Sequence, residues 1–164
     1  MQSDANLRPI LSWLLGGFIS TEWKHSFLVL IYLIPSGMIV FAYGRILNVL
    51  QLNEEHAKQI GVNVERSKML LIVAATLATS AAVSVSGLIG FVGLIAPHTV
   101  RLIWGVDYRR LLPMTMIVGI AFLILADLIA RTIASPTELP VGVITAFVGA
   151  PFFLYLLRRR PVGM

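Results

Sequence analysis

RILNVLQLNEEHAKQIGVNVERSK, Arg45 to Lys68, is the one long polar passage in a chain that is otherwise apolar. Before it, His25 to Gly44 carries no formal charge. After it, Met69 to His98 carries none either, taking His98 as neutral. Runs of that length and composition belong in a bilayer, whose hydrocarbon core takes about 20 helical residues to cross. The passage between them is therefore the part able to meet a soluble partner. Within it Leu50, Ala57, Ile60 and Val64 recur at helical spacing while Glu54, Glu55, Lys58 and Glu65 take other positions, with a break at Gly61. This pattern predicts a short surface helix, a glycine turn and a second short helix over about residues 50–67. Asn53 is the expected N-cap, with Glu54 and Glu55 in the first turn, where the helix dipole favours acid.

The whole composition agrees with a membrane setting. Of 164 residues, 57% are hydrophobic and 13% charged, against roughly 45–50% and ~25% in an ordinary soluble domain. There is no cysteine, which excludes disulfides and thiolate metal sites. The net charge of +5 does not argue for nucleic acid, because the basic residues gather in the gaps between apolar runs, where membrane topology accounts for them. No signal-peptide pattern precedes the first apolar run.

Taken in order, Leu11 to Ile19 is too short to cross and reads as a re-entrant or interfacial piece, with Trp13 and Trp23 suited to the headgroup layer. His25 to Gly44 is the first full span, with Pro35 placed to kink it. Met69 to His98 is too long for one span, so it folds back at Ser86 and Gly87 into spans of about Met69 to Val85 and Leu88 to Trp104. In the second of these Gly87, Gly90 and Gly93 repeat every third residue and Pro97 follows. Such residues weaken a helix by ~1 kcal/mol per glycine and ~3 per proline. They fit a segment that either lines a pathway or packs closely against its neighbours. Leu111 to about Ala134 and Leu139 to Leu157 complete the set, joined by the polar turn SPTELPVG with Pro136 and Pro140; Gly149 and Pro151 suggest packing and a local kink in the last. The expected fold is all-α: one domain, residues 1–164, a polytopic membrane helix bundle with about five transmembrane helices and no internal repeat.

Lysine and arginine set the orientation. Alternate gaps hold Arg45, Lys58, Arg66 and Lys68, then Arg101, Arg109 and Arg110, then Arg158 to Arg160; the opposite side holds only Arg8, Lys24 and Arg131. By the positive-inside rule the polar passage and the C-terminus are cytoplasmic and Met1 lies outside. An outside start without an insertion signal leads us to expect the C-terminal half of a longer membrane protein.

Few residues invite a chemical role. Arg131 breaks the charge rule, and Asp127 stands one turn before it at i, i+4. As an exposed pair they are worth only ~0.3–0.5 kcal/mol. Asp127 lies within or near the apolar layer, which makes it a functional candidate, as a proton carrier or as the partner of Arg131. His98 has no neighbouring carboxylate or thiolate in sequence, and His25 and His56 supply no better constellation, so no metal site is expected. Paired carboxylates, a histidine cluster and an activated nucleophile are all missing at useful spacing, as is a G-x-x-x-x-G-K-[ST] loop. No catalytic or cofactor-binding residues are assigned, and an enzyme is not expected. The classes left are a permease driven by a separate motor, an ion-coupled secondary transporter using Asp127, or a fragment that inserts without transporting.

Longer motifs narrow the choice. Glu55, Ala57 and Gly61, as E-x-A-x-x-x-G, resemble the cytoplasmic loop signature of ABC-importer permeases. LNEEHAKQIGVNVER, SGLIGFVGLIAPHTVRLIWGVDYRRLLP, LADLIAR and ELPVGVITAFVGAPFFLYLLRR follow in an order and at spacings similar to the second half of the iron-chelate and cobalamin permease family of ABC importers, the FecCD family. The resemblance runs from about Leu11 to Arg160. It implies the last five of ten helices in the cytoplasmic membrane, paired as a homodimer or heterodimer, with no cofactor. It implies an ATPase subunit on the cytoplasmic side, engaged through Glu54, Glu55, Ala57 and Gly61, and an extracytoplasmic substrate-binding protein. Arg131 stands at a position resembling the arginines that receive glutamates from that protein, with Asp127 orienting it. The implied cargo is an iron chelate, siderophore or haem, ahead of cobalamin.

Overall fold

The computed structural model describes residues 13–18, 22–133 and 139–159, which hold seven helices of 6 to 26 residues. They are α1 (Trp23–Ala42), α2 (Gly44–Leu52), α3 (Glu54–Gln59), α4 (Val64–Ser86), α5 (Val92–Trp104), α6 (Tyr108–Ile133) and α7 (Val141–Arg159). No strand occurs among the described residues. Arg8, Pro136 and Arg160, named above for topology or for a turn, lie outside them.

Among the described residues four helices are long and apolar enough to cross a membrane: α1, α4, α6 and α7. They match four of the five expected spans. The fifth is different. A span was expected from about Leu88 to Trp104, but α5 begins only at Val92 and has 13 residues, ~20 Å at 1.5 Å per residue. That is short of a ~30 Å hydrocarbon core. The stretch Gly87 to Phe91 before it is non-helical. Gly87 ends α4 with φ +67°, a left-handed turn that L side chains rarely adopt, and Phe91 takes φ 67° directly before α5. Irregular backbone at this depth is tolerated where protein surrounds it.

The polar passage also departs from expectation in one respect. Asn53 caps α3 as expected, its Oδ1 accepting from Glu55 N at 2.9 Å. The expected second short helix is instead the first turn of α4. Asn63 Oδ1 accepts from Arg66 N at 3.1 Å, and nothing in VERSK interrupts the helix before the apolar run begins.

The bundle packs through α1 on α4, α5 on α6 and α6 on α7, with α2 against the start of α6. Side chains at the contacts are small: Ala74, Ala96, Ala126, Ala130, Ser36 and Ser67 are buried. Large apolar side chains such as Phe27, Ile72, Ile124 and Phe147 are exposed instead. In lipid there is no hydrophobic reward for burying a leucine between helices, so close approach of backbones over small residues holds them together.

Hydrogen bonds define two ends. At one, α2 is tied to the start of α6 and α3 to α4. At the other, Gly17 N donates to Ser86 O at 2.8 Å and Gly142 N donates to Gly16 O at 3.2 Å. Residues 13–18 are thus wedged between the end of α4 and the start of α7. Phe18 packs on the small core of Ala126, Ala130 and Val141. This is the described part of the piece expected at the interface; Trp13 remains about half exposed. The end that holds the polar passage also holds Arg101, Arg109 and Arg110, so the contacts agree with the orientation drawn from charge.

Candidate functional site

The first candidate is the polar end. Over α3, Ala57 is fully buried against its own chain, while Glu54, Glu55, Lys58 and Gly61 are exposed. Glu54 forms an ion pair with Lys68 of α4. The Lys68 ammonium, through that hydrogen bond and its charge, holds the Glu54 carboxyl below the usual carboxylate value, with a smaller push from Lys58. Glu55 has no ion pair among the described residues. The two glutamates, adjacent in sequence, therefore differ: one fastens α3 to the bundle and the other points its charge outward. Around them Leu52 and Ile60 are 81% and 56% exposed.

Gly61 sits where the helix stops. Val62 N donates to Ala57 O at 3.0 Å and Gly61 N donates to Lys58 O at 3.0 Å. With Gly61 at φ +85° this is a Schellman ending, which satisfies carbonyls that α3 leaves open. A Cβ at Gly61 would meet nothing within 4 Å. The residue is required by its backbone angle and not by crowding inside the chain.

Two residues that sequence reasoning did not single out lie beside this surface. Asn48 of α2 donates through Nδ2 to Asp107 Oδ1 at 2.6 Å and accepts through Oδ1 from Tyr108 N at 2.7 Å. Asp107 Oδ1 also accepts from Arg109 N at 3.0 Å, the geometry of an N-cap on α6. The Asn48 hydrogen bond, then that of the Arg109 backbone and the nearby Arg109 and Arg110 charges, hold the Asp107 carboxyl below its usual value. Aspartate just before an apolar run was a readable cap signal. Asn48, inside a helix and 59 residues away, left none.

At the opposite end, Arg131 Nε donates to Asp127 Oδ2 at 2.8 Å. The pair expected from i, i+4 spacing is formed, with the arginine side chain 58% exposed and the aspartate 27%. α6 has 26 residues, ~39 Å of helix, so its final turns reach the outer edge of the core. The arginine can meet water there without leaving the helix.

The glycine series divides. Gly87 is crowded: a Cβ would lie 2.1 Å from Trp13 O. Gly90 and Gly93 face open space, with no described atom within 4 Å of where a Cβ would stand. Pro97 lies inside α5. Among the described residues, close packing is seen at Gly87 and at neither of the other two. Gly149 is a packing position as well, since a Cβ there would come 2.2 Å from the Phe91 side chain. His98 meets the ring of Phe152 edge-on, centroids 5.7 Å apart, which joins α5 to α7. Among the described residues no three of His, Cys, Asp and Glu come together as metal ligands would.

Comparison with known proteins fits this arrangement. The model of the FecCD transport family matches residues 1–159. The cobalamin import system permease protein BtuC of Halobacterium salinarum is 48% identical over 162 residues, 99% of this chain and 43% of that protein. The hemin transport system permease protein HmuU of Yersinia pestis is 38% identical over 160 residues, 98% of this chain and 48% of that protein. A solved structure described as an inward-facing conformation of a metal-chelate type ABC transporter superposes with a TM-score of 0.86 at 34% identity, covering 93% of this chain and 49% of the other. The chain spans about half the length of the curated relatives it matches. With spanning helices, a polar end and the ordered motifs all in agreement, the chain belongs to the FecCD transport family and is a multi-pass protein of the cytoplasmic membrane.

Proposed function

We propose that this chain is permease machinery of an ATP-binding-cassette importer that moves a metal chelate across the cytoplasmic membrane, driven by a separate ATPase. The observation that carries this reading is the surface at the two ends of α3. A plain solvated loop has no reason to expose Leu52, before it, and Ile60, at its C-cap, beside a Glu55 that has no ion pair among the described residues. Apolar anchors ringed by charge suit a protein partner. In this reading Glu55 and the exposed rim of α3, which Gly61 closes, meet the ATPase, while buried Ala57 seats the helix and the exposed Glu54–Lys68 pair adds a weak tie. A short seated helix transmits displacement without unfolding.

At the outer end, Arg131 receives an acidic residue of a substrate-binding protein, with Asp127 holding the guanidinium ready. Engagement of Asp127 by Arg131 supports the docking role for this pair over a proton-carrying one. The cargo class is a large metal chelate; relatives named for cobalamin and for hemin support that breadth and give iron chelates no precedence. Pairing with a second permease copy or with a related one would cover exposed apolar faces that lipid does not.

The test is uptake into proteoliposomes holding the permease, its ATPase and its binding protein, with labelled cobalamin, haem and a ferric siderophore offered in turn. ATP-dependent entry of at least one is expected, and entry driven by a proton gradient without ATP would refute the reading. Arg131→Gln is expected to weaken binding-protein capture about tenfold, with little change in ATP hydrolysis by the permease and ATPase alone. Unchanged capture would remove Arg131 from the docking surface.

A further inference from the structure

The polar end contains two links between the cytosolic helices and the spans, and they are unlike. Glu54 to Lys68 is an exposed ion pair between flexible side chains, a kind of contact that holds position weakly. Asn48 is a different device. Its carboxamide uses both ends at once, Nδ2 to the Asp107 carboxylate at 2.6 Å and Oδ1 from the Tyr108 backbone N–H at 2.7 Å. The two partners also fix which way the amide points, because turning it over would set its NH₂ against an N–H. A carboxylate acceptor makes a stronger hydrogen bond than a neutral one. The clamp grips the backbone at the first residue of α6, and only Asn53 separates α2 from α3.

We propose that Asn48 is the positioning residue through which displacement of the cytosolic helices is passed to α6, and so to the Asp127–Arg131 pair at its far end. The inference rests on the proposed ATPase contact at α3 and adds a route to it. Motion of α3 moves α2 through their one-residue link. α2 then pulls or pushes α6 along its axis through Asn48, and α6 runs as one helix past Arg131 to Ile133, with Pro113 in its second turn leaving one carbonyl without its helical partner. The Lys68 pair steadies α3 against α4 during this motion. Coupling of this kind needs a rigid element biased at both ends, and α6 with its clamped start and charged finish is such an element.

The experiment uses the permease with its ATPase and binding protein in proteoliposomes and reads basal ATP hydrolysis, its stimulation by the binding protein, and uptake. For Asn48→Ala, basal hydrolysis is expected within twofold of the unaltered complex, while stimulation and uptake fall about tenfold. Asn48→Asp sets carboxylate against carboxylate and is expected to be as poor. Combining Asn48→Asp with Asp107→Asn restores a donor opposite an acceptor and is expected to recover at least half of the stimulation, which a general loss of stability would not allow. The inference is overturned if Asn48→Ala keeps full stimulation, or if the combined variant recovers nothing. Should Asn48→Ala fail to assemble, the combined variant alone decides. An unaltered complex that shows no stimulation at all counts instead against the proposed function.

Discussion

Gly142→Ala is expected to lower the melting temperature of the purified chain by several degrees, although alanine is the better helix former. Two effects oppose each other. Within a helix, glycine to alanine gains up to ~1 kcal/mol from backbone entropy. Against it, the new methyl would lie 1.9 Å from the Leu15 carbonyl oxygen and 3.2 Å from that of Leu88. Neither is the free end of a side chain, so the backbone of residues 13–18 must move. That breaks the Gly142 N to Gly16 O bond and unseats Phe18 from Ala126, Ala130 and Val141. Overpacking of this kind costs ~1–3 kcal/mol or more, and it exceeds the helical gain. Gly37→Ala makes the same chemical change in α1 where nothing lies within 4 Å, and it is expected to leave the melting temperature equal or slightly raised. Equal effects at the two positions would contradict the close approach seen at the outer end.

The second large effect is expected at Gly61, and it depends on which residue is introduced. A non-glycine residue in left-handed backbone costs ~1–2 kcal/mol, more for a β-branched side chain, whereas asparagine tolerates that conformation. Gly61→Val is therefore expected to unwind the Schellman ending of α3 and abolish ATP-driven uptake, while the spans stay folded. Gly61→Asn is expected to keep at least a third of the uptake, because it preserves the φ of +85° and the space around the residue is open. Loss of uptake in both variants would mean that the position is pressed against the ATPase, and the turn geometry would then not be what requires glycine.

How far the sequence could be read depended on the range of the forces involved. The spans α1, α4, α6 and α7 were legible because strongly apolar runs of helix length with few or no charges have one destination. The Asn53 cap and the Asp127–Arg131 pair were legible for a similar reason: each is made within one turn of helix. The start of α5 was not. Gly87 and Gly90 weaken helix there, but nothing local in SGLIGFV says that it restarts at Val92, where Trp13 lies over Gly87 and Phe91 fits against Gly149. Asn48 was missed for the same cause, its partners standing 59 and 60 residues away. Ala57 was read as a point of close approach to a partner, and the structure buries it within its own chain. Periodicity shows that a helix has an inner face without saying which neighbour covers it.

Everything functional follows from the polar passage facing the cytosol. The chain contains no cysteine, so single cysteines report sidedness without background. Lys58→Cys on α3 and Ile133→Cys at the end of α6 are both exposed positions. In intact cells treated with a membrane-impermeant maleimide, the cysteine at 133 is expected to label and the cysteine at 58 to label only after the membrane is opened. Labelling at 58 from outside intact cells would contradict the account.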